Sequence, residues 1–378
     1  MSYNQEAMTL NRRHDITIIG AGNGGYAFAA YVARLGYNVN LCFRTLQHVL
    51  KLTETKKIRA TGAFDGVFRL NMVTSNWEKA IKRSMLILIV VPADGHEEII
   101  YRIAPFLKNG QSILLNPGRT WGAISAYNII KQTNPSVNVH VGETQTLLFT
   151  CRREGADSVK ILKIKDKVDY CFYPEAKNIT VKDMLEKLFP QMQPVYDIRL
   201  TSLNNIGAVV HPATAVLNAG AIGRGHEFLF YRQGITEEIV RIVEKIDAER
   251  CAVMEHIGMP VYTFLDWVQD TYNVKASTFL EAFQKIESYA TINSPESVDN
   301  RYLTEDIPTG LVPLASLGAY FGIPMPNINS IIQIGSSLLG KDFLRIGRTI
   351  DNVGLPQAIL DRALSSFTPR LEPEELSS

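Results

Sequence analysis

The chain has 378 residues, more than one ordinary globular core holds, which favours two domains that share a cleft. Its 39 Lys and Arg residues balance its 38 Asp and Glu residues, so no net field draws it to nucleic acid or to an anionic membrane. Hydrophobic residues make up 46% of the chain, enough to fill both cores without metal or disulfide bonds. The composition therefore indicates a small-molecule ligand.

The N-terminal region and the cysteines indicate a cytoplasmic protein. The first residues contain no apolar segment typical of a signal peptide, and later apolar runs of about nine residues are too short to span a bilayer. The cysteines are far apart in the sequence and lack CxxC spacing, so we expect reduced thiols in or near the core: Cys42, Cys151, Cys171 and Cys251.

The first half of the chain alternates short β-branched segments with helical segments. This pattern predicts an α/β fold whose N-terminal domain, residues 1–198, is a doubly wound, Rossmann-type parallel sheet. The predicted strands are DITIIG, NVNLCF, MLILIVV, SILLNPG, VNVHVG, VKILKI and VDYCFY. The predicted helices span about 22–35, 46–55, 96–107 and 121–132.

Helical periodicity dominates the second half and predicts an all-α substrate domain, residues 199–378. In EEIVRIVEKIDAERCAVMEHIG, apolar residues such as Ile239, Val243 and Ile246 share one face, and Gly258 ends the helix. Segments such as HPATAVLNAGAI are apolar on nearly every side and are therefore expected to be buried within the domain, between domains or in an oligomer. This apolar helical surface favours a homodimer.

A glycine motif follows the first predicted strand and precedes a helix. Gly20 permits a tight turn, Gly22 lets the backbone approach a pyrophosphate, and Gly25 lets helix and strand pack closely. Asn23 and Gly24 complete the loop, where the helix N-terminus offers free N–H groups to phosphates. The motif and its context predict a dinucleotide site, although three glycines could also form a purely structural turn.

The second predicted strand ends in LCFRT, without the acid that commonly binds the ribose hydroxyls of NAD. Phe43 takes the place of the acid, while Arg44 and Thr45 supply a cation and a hydroxyl suited to a 2′-phosphate. These residues favour NADP(H) as the cofactor. The alternative is NAD(H), with Arg44 solvated and stacked on the adenine.

Two further loops follow predicted strands at the carboxyl edge of the sheet, where ligands bind in open α/β folds. Val91 and Pro92 follow MLILIV, and Asn116 follows SILL. We expect these loops to surround the nicotinamide and its ribose, and ordinary strand-to-helix turns remain the alternative.

His211 lies in an otherwise apolar helical segment just after the domain junction. A polar ring in that position needs a buried partner or must face the cleft. Downstream, Arg301, Glu305 and Asp306 lie close together before another apolar helix. His211 and these side chains could supply a proton donor and a carboxylate-binding cation; the alternatives are a satisfied core histidine and a loop ion pair between Arg301 and Asp306.

The chain resembles the octopine and nopaline dehydrogenase family, the opine dehydrogenases, and in particular bacterial members that form N-(1-D-carboxyethyl)-amino acids. The resemblance extends along almost the whole chain, in the segments GAGNGGYAFAAYVA, LIVVPA, LNPG, GETQTLLFTCR, TSLNNIGAVVHP, EKIDAERCAV and RYLTEDIPTGLVPL. It implies an NAD(P)-binding domain joined to a helical substrate domain, and reductive condensation of an α-keto acid with an amino acid. A bacterial member carries Asp at the end of the second strand, so the resemblance leaves the cofactor open.

The resemblance also implies roles for individual residues. His211 would be the catalytic acid/base, Asp306 its partner, and Arg301 the residue that holds a carboxylate. Asn205 would touch substrate or nicotinamide. By position after its strand, Thr144 in GETQTLLFTCR is expected to face the crevice and contact substrate.

Two alternatives share the predicted architecture. A ketopantoate or hydroxyacid reductase would use a lysine and an asparagine on the first helix of the second domain, and residues 201–222 contain no lysine. A non-catalytic NAD(P)-binding redox sensor would need only the glycine loop, which leaves His211, Arg301 and Asp306 without a role.

Overall fold

The computed structural model describes residues 15–45, 50–174 and 181–361. Within those ranges the chain forms the following strands: β1 (Asp15–Ile19), β2 (Asn38–Cys42), β3 (Lys57–Gly62), β4 (Gly66–Arg69), β5 (Met72–Thr74), β6 (Ser84–Ile89), β7 (Ser112–Leu115), β8 (His140–Thr144), β9 (Phe149–Arg153), β10 (Ser158–Ile164), β11 (Val168–Tyr173) and β12 (Met192–Pro194).

Eight of these strands form one large sheet in the order β12-β11-β8-β7-β6-β1-β2-β5. All neighbouring pairs are parallel except β8 and β11. The six strands from β5 to β8 have the 3-2-1-4-5-6 order of the Rossmann fold, which confirms the predicted fold class. The order reverses between β1 and β6, so the carboxyl ends of these strands border the crevice in which a dinucleotide binds.

The helices of the first half are α1 (Asn23–Arg34), α2 (Leu50–Thr55), α3 (Trp77–Ile81), α4 (His96–Ile103), α5 (Gly122–Thr133) and α6 (Lys182–Leu188). Those of the second half are α7 (Ile198–Ser202), α8 (Ile206–Leu217), α9 (Ala219–Gly223), α10 (Glu237–His256), α11 (Phe264–Tyr272), α12 (Phe279–Lys285), α13 (Arg301–Thr304), α14 (Val312–Phe321), α15 (Pro326–Leu339), α16 (Phe343–Ile346), α17 (Ile350–Val353) and α18 (Gln357–Leu360). The helical second half is as predicted, while the boundary between residues 198 and 199 stays a prediction.

A second sheet, in the order β4-β3-β10-β9, packs against α1. The sequence assigned VKILKI to the parallel sheet, and that assignment was wrong, because this segment is β10 and pairs with β3 and β9. Helix α1 lies between the two sheets and is buried from Gly24 to Val32. This double cover explains why its sequence is apolar on nearly every side.

Strand alternation builds two cores on the opposite faces of the large sheet. Leu86 and Leu88 of β6 belong to the core shared with α1 and the second sheet, whereas Ile87 and Ile89 belong to the core that includes α4, α5 and the helices of the second half. Helix α7 of the second half contacts β8 and β11 of the large sheet. The second half therefore packs directly on the nucleotide-binding sheet, and its first helices lie beside the carboxyl ends of the strands.

The four cysteines are free thiols, of which Cys42 and Cys171 are buried and Cys151 and Cys251 partly buried. In the described ranges no helix combines the length and the apolar character that a bilayer span requires.

Candidate active site

The glycine loop between β1 and α1 has the geometry of a phosphate-binding turn. Gly20 has φ +121°, and a Cβ there would lie 2.2 Å from the carbonyl oxygen of Val90. A Cβ at Gly25 would lie 1.9 Å from the carbonyl oxygen of Gly20, so only glycine allows helix and strand to approach this closely. A Cβ at Gly22 would meet nothing within 4 Å, and no side chain caps the helix that begins at Asn23. The first N–H groups of α1 therefore face open space, as a pyrophosphate requires.

The neighbouring residues of the loop fix its position. The Asn23 side chain accepts a hydrogen bond from the Arg153 N–H at 2.9 Å, which ties α1 to β9. A Cβ at Gly24 would lie 2.8 Å from Val90 Cγ1 and 3.2 Å from Leu147. Asn23 and Gly24 can offer a dinucleotide their backbone N–H groups, while their side-chain positions serve packing.

Arg44 lines a pocket of about 430 Å³ beside Gly20, where an adenosine would lie. Its Nη1 is 3.3 Å from Glu98 Oε2, and Arg102 Nη2 is 2.8 Å from Glu98 Oε1. Two guanidinium groups thus flank one carboxylate at the pocket. Thr45 is exposed and does not line this pocket.

A second cavity, of about 350 Å³, continues from the glycine loop toward the second half. Val91 and Pro92 line both this cavity and the Arg44 pocket, so the two spaces meet where a dinucleotide would cross the sheet edge. Asn116 also lines the cavity, and its Nδ2 donates to the Leu114 carbonyl oxygen at 2.8 Å. Its Oδ1 is buried without a hydrogen-bond partner among the described residues, and so can accept one from a bound group such as a carboxamide.

His211 extends from α8 into this cavity and makes two short contacts. Its Nδ1 is 2.7 Å from Asp306 Oδ2, and its Nε2 is 2.9 Å from the Tyr231 hydroxyl. Because Asp306 can only accept when ionised, these partners assign the proton of the neutral ring to Nδ1, and Nε2 accepts from Tyr231. The nitrogen that can exchange a proton with a substrate is therefore Nε2.

A buried ion-pair network surrounds Asp306. Arg119 follows β7 and donates from Nε to Glu305 Oε1 at 2.9 Å and from Nη1 to Asn205 Oδ1 at 3.2 Å. Its Nη2 is 3.1 Å from Asp306 Oδ1, and all three charged side chains are at least nine-tenths buried. The carboxylates stand just before a π-helix, Ile307–Leu311, where Pro308 lacks an N–H group. The Thr120 N–H donates to the carbonyl oxygen of Thr309, which brings the Arg119 loop to this turn.

The charges in this network set the proton affinities of the pair. Burial lowers the pKa of His211, and the Asp306 carboxylate opposes that effect. Burial alone would raise the pKa of Asp306, but Arg119 and His211 bring it below its ordinary value. Burial raises the pKa of Tyr231 well above that of a free tyrosine, so its hydroxyl remains a donor to His211. The arrangement is a histidine oriented by an ionised carboxylate.

Arg301 lines the same cavity at the start of α13 and retains solvent exposure. Its guanidinium lies 5.6 Å from the centre of the Tyr302 ring. No carboxylate of the described ranges lies within ion-pair distance of it, so the loop ion pair with Asp306 considered from the sequence is not formed. Its donors are therefore free to bind an anion in the cavity.

Two predicted substrate contacts lie outside the cavity and require correction. Asn205 is buried and holds Arg119, because its amide oxygen accepts from that guanidinium. Thr144 is also buried, since its hydroxyl donates to the carbonyl oxygen of Leu115 at 3.3 Å within the sheet. Thr146, two residues further along, lines the cavity instead.

Glu143 connects the sheet to the second half. Its carboxylate accepts from the Ala123 N–H at 2.8 Å, from the Thr201 hydroxyl at 2.9 Å and from the Ser202 hydroxyl. It is fully buried, and burial raises its pKa although these donors oppose the shift. The carboxylate thus holds the first residues of the helical half against the end of β8.

Sequence reasoning missed four features of the site. It did not single out Arg119, Tyr231 or Lys165, and it expected Glu305 to be solvated or to start a helix, whereas the side chain is 2% exposed and pairs with Arg119. Local sequence offers a weak signal only for Arg119, which follows the LNPG segment at the end of a buried strand. The other three depend on long-range packing.

Comparison with known proteins identifies the family. The model for the α-helical domain of NAD/NADP octopine/nopaline dehydrogenases matches residues 194–339, and the model for the N-terminus of NAD-dependent glycerol-3-phosphate dehydrogenases matches residues 15–116. An opine dehydrogenase from Arthrobacter sp. (strain 1C) is 37% identical over 339 residues, which are 89% of this chain and 94% of that protein.

Solved structures agree on the fold. An octopine dehydrogenase structure with NADH and L-arginine has a TM-score of 0.76 at 20% identity and covers 92% of this chain and 98% of its own. A yersinopine dehydrogenase structure with NADP⁺ has a TM-score of 0.68 at 14% identity, with 93% and 98% covered.

The Rossmann sheet and the histidine–carboxylate site define an NAD(P)-dependent oxidoreductase that acts on CH–NH donors. The chain belongs to the octopine/nopaline dehydrogenase family, the opine dehydrogenases. This membership decides against the hydroxyacid-reductase and redox-sensor alternatives.

Proposed function

We propose that the protein condenses an α-keto acid such as pyruvate with an amino acid, reduces the imine formed between them with NADP(H), and also catalyses the reverse oxidation. The observation that carries this proposal is the shared cavity, in which the His211–Asp306 pair faces an unpaired Arg301 beside the carboxyl ends of the strands. Imine chemistry needs a proton carrier near neutral pH and a cation for the carboxylate, and the cavity supplies both.

The residues of the chain act in a defined order. Arg301 binds the keto acid carboxylate through its planar pair of donors and fixes the carbonyl carbon in the cavity. His211 accepts a proton as the amine adds and returns it to the departing oxygen, and Asp306 stabilises the imidazolium between these steps. Arg119 keeps Asp306 ionised. When bound, the reduced nicotinamide supplies hydride to the imine carbon.

The residues present fit a dinucleotide. The uncapped start of α1 and the open face of Gly22 suit the pyrophosphate, and the unpartnered Asn116 Oδ1 suits the nicotinamide carboxamide. Preference for NADP(H) is supported by Arg44 and Arg102, which outnumber Glu98 at the adenosine pocket and so favour a 2′-phosphate. Glu98 is the feature that would favour NAD(H), through hydrogen bonds to the ribose hydroxyls. Thr45 does not line the pocket, so the only support for its predicted contact with the 2′-phosphate is its position next to Arg44 in the sequence.

His211→Ala tests the proposed acid/base. We expect the variant to bind NADPH as the wild type does and to lose about 10²- to 10⁴-fold in kcat, the usual contribution of a positioned proton carrier. His256→Ala is the matched control, because His256 is exposed at the end of α10 and contacts only the Phe321 ring. Turnover by His211→Ala at the rate of the control would contradict the assignment.

We further propose a cytoplasmic homodimer. An exposed apolar surface near the C-terminal helices supports the dimer and contains Tyr320, Ile334, Leu338, Leu344 and Ile346. The free thiols are typical of a reducing compartment. Light scattering of the purified protein tests the dimer, and a monomeric mass at micromolar concentration would contradict it.

A further inference from the structure

Lys165 is a buried lysine that has no carboxylate partner in the part of the chain that the structure describes. Its side chain is 6% exposed and lines the cavity that contains His211 and Arg301. The Nζ donates to the Thr146 hydroxyl at 2.7 Å, and no carboxylate of the described ranges lies within ion-pair distance of it. A buried charge without a partner is unfavourable. A buried lysine that has no carboxylate partner is therefore typical of a site at which the lysine binds a ligand.

The two neighbouring lysines, Lys163 and Lys167, form ion pairs with carboxylates, unlike Lys165. In the segment KIKDK, Lys163 pairs with Asp166 at 3.0 Å, and Lys167 pairs with Asp270. Alternation along a regular strand would place these three lysines on one side, but Lys165 lies beyond the end of β10, in the turn before β11, and its side chain enters the cavity, away from these carboxylates. The same short segment therefore contains two ordinary surface pairs and one inward cation.

The surroundings of Lys165 favour an ammonium that binds an anion. Its Nζ lies 5.5 Å from the centre of the Trp267 ring and 5.7 Å from that of Tyr272, and both rings also line the cavity. Aromatic faces stabilise a cation without neutralising it, so its charge remains available. Burial lowers the pKa of Lys165 to about 7, and the charges of Arg119 and Arg301 add to this effect. A carboxylate bound to Lys165 would raise its pKa again and keep the side chain charged.

The product of the proposed reaction carries two carboxylates, one from the keto acid and one from the amino acid. Arg301 can take one of them. Arg119 cannot take the other, because its three nitrogens are directed at Glu305, Asn205 and Asp306. The second carboxylate therefore needs another cation in the cavity, and Lys165 is the buried one that has no carboxylate partner in the described ranges.

We propose that Lys165 binds the α-carboxylate of the amino substrate, and so selects amino acids over amines that lack this group. This assignment rests on the proposed function and adds to it a residue that recognises the amino substrate. Arg152 is the competing cation, since it also lines the cavity, but its side chain is exposed to solvent whereas Lys165 is 6% exposed, so the charge of Lys165 is less screened.

The test compares an amino acid and the matching amine as substrates of the wild type and of three variants, Lys165→Met, Lys163→Met and Arg152→Met. Initial rates are measured with pyruvate, NADPH and either an amino acid substrate or the amine that lacks only its carboxylate, for example L-phenylalanine and phenethylamine. For Lys165→Met we expect the KM for the amino acid to rise about 10- to 100-fold, the amine to react as with the wild type, and the KM for pyruvate to change by less than about threefold. Lys163→Met is the matched control and should leave both substrates unchanged.

Three results would overturn the assignment: an unchanged KM for the amino acid in Lys165→Met, an increase confined to pyruvate, or the expected amino acid effect appearing in Arg152→Met instead. If Lys165→Met does not fold, the wild type still decides, because equal kcat/KM for the amino acid and the amine would contradict recognition of the carboxylate. Failure of the wild type to condense any amino acid with any keto acid would contradict the proposed function, and this inference with it. Condensation with no loss in the variant would contradict this inference alone.

Discussion

Asp306→Asn changes the centre of the buried network with little change in shape. The wild-type carboxylate accepts from His211 Nδ1 at 2.7 Å and lies 3.1 Å from Arg119 Nη2. In the variant, the amide can present its NH₂ group to Nδ1, which moves the ring proton to Nε2 and leaves the catalytic nitrogen unable to accept. The imidazolium also loses its counter-charge. An exchange of this kind lowers kcat about 10³- to 10⁴-fold, or about 4 to 5.5 kcal/mol in the barrier.

The same substitution should cost modest stability and shift the pH profile. Arg119 keeps its ion pair with Glu305 at 2.9 Å, so only part of the Arg119 charge is left uncompensated, and we expect a loss of about 2 kcal/mol in the free energy of unfolding and a Tm lower by about 2 to 3 °C. Burial already lowers the pKa of His211 and Asp306 opposes this, so the pKa falls further in the variant. Since His211 must be neutral to accept the proton of the adding amine, the rise in rate with increasing pH should begin at lower pH than in the wild type.

Stopped-flow absorbance of NADPH across a pH series measures the rate, and quenching of protein fluorescence measures cofactor binding. Asp299→Asn is the matched control, because the Asp299 side chain is exposed and lies 3.3 Å from the Lys341 ammonium, far in sequence from the His211 network. Cofactor binding should persist in both variants. A kcat for Asp306→Asn within about threefold of the control would refute the role of the carboxylate in orienting His211.

Three further substitutions test other parts of the molecule. Arg44→Asp places a second carboxylate beside Glu98 and should shift preference from NADPH toward NADH by about 10-fold or more, as measured by the ratio of kcat/KM values; an unchanged ratio would contradict the proposed phosphate site. Tyr231→Phe removes the donor at 2.9 Å from His211 Nε2 and should change kcat about 5- to 10-fold with little effect on the Kd of NADPH. Burial raises the folded-state pKa of Glu143 above its unfolded value, so stability falls as pH rises through the folded pKa; Glu143→Gln removes this dependence, and its Tm relative to wild type should increase from about pH 5 to about pH 8.

The sheet and the glycine loop could be predicted because their signals are local. A strand, a turn that requires glycine at Gly20 and a helix start at Asn23 follow one another within a few residues. The second sheet could not be predicted in the same way. Segment β10 alternates apolar residues with Lys160 and Lys163, a pattern that marks a strand but not the sheet it belongs to, and only its pairing with β3 and β9 shows which sheet it joins.

The same distinction between local signals and long-range packing applies to the candidate site. The resemblance pointed to His211 and Asp306, and the structure brings them within 2.7 Å although 95 residues separate them. Arg119 and Glu305 are 186 residues apart and carry no shared motif, so their ion pair could not be inferred from either segment. Thr144 was misplaced because it is still part of β8, where its hydroxyl donates to the Leu115 carbonyl oxygen, and the chain reaches the cavity only at Thr146. Lys165 was passed over because a lysine in a charged segment is ordinarily solvated.

The central claim is that reduction requires two substrates at once, and one measurement tests it most directly. The purified protein is mixed with NADPH or NADH, with pyruvate and other α-keto acids alone, with amino acids alone, and with each pair, while cofactor absorbance and product mass are recorded. We expect cofactor oxidation only with a pair, faster with NADPH, together with a secondary amine dicarboxylate whose mass equals that of the two substrates less water plus two hydrogens. Oxidation with a keto acid alone, giving the hydroxy acid, would contradict the account.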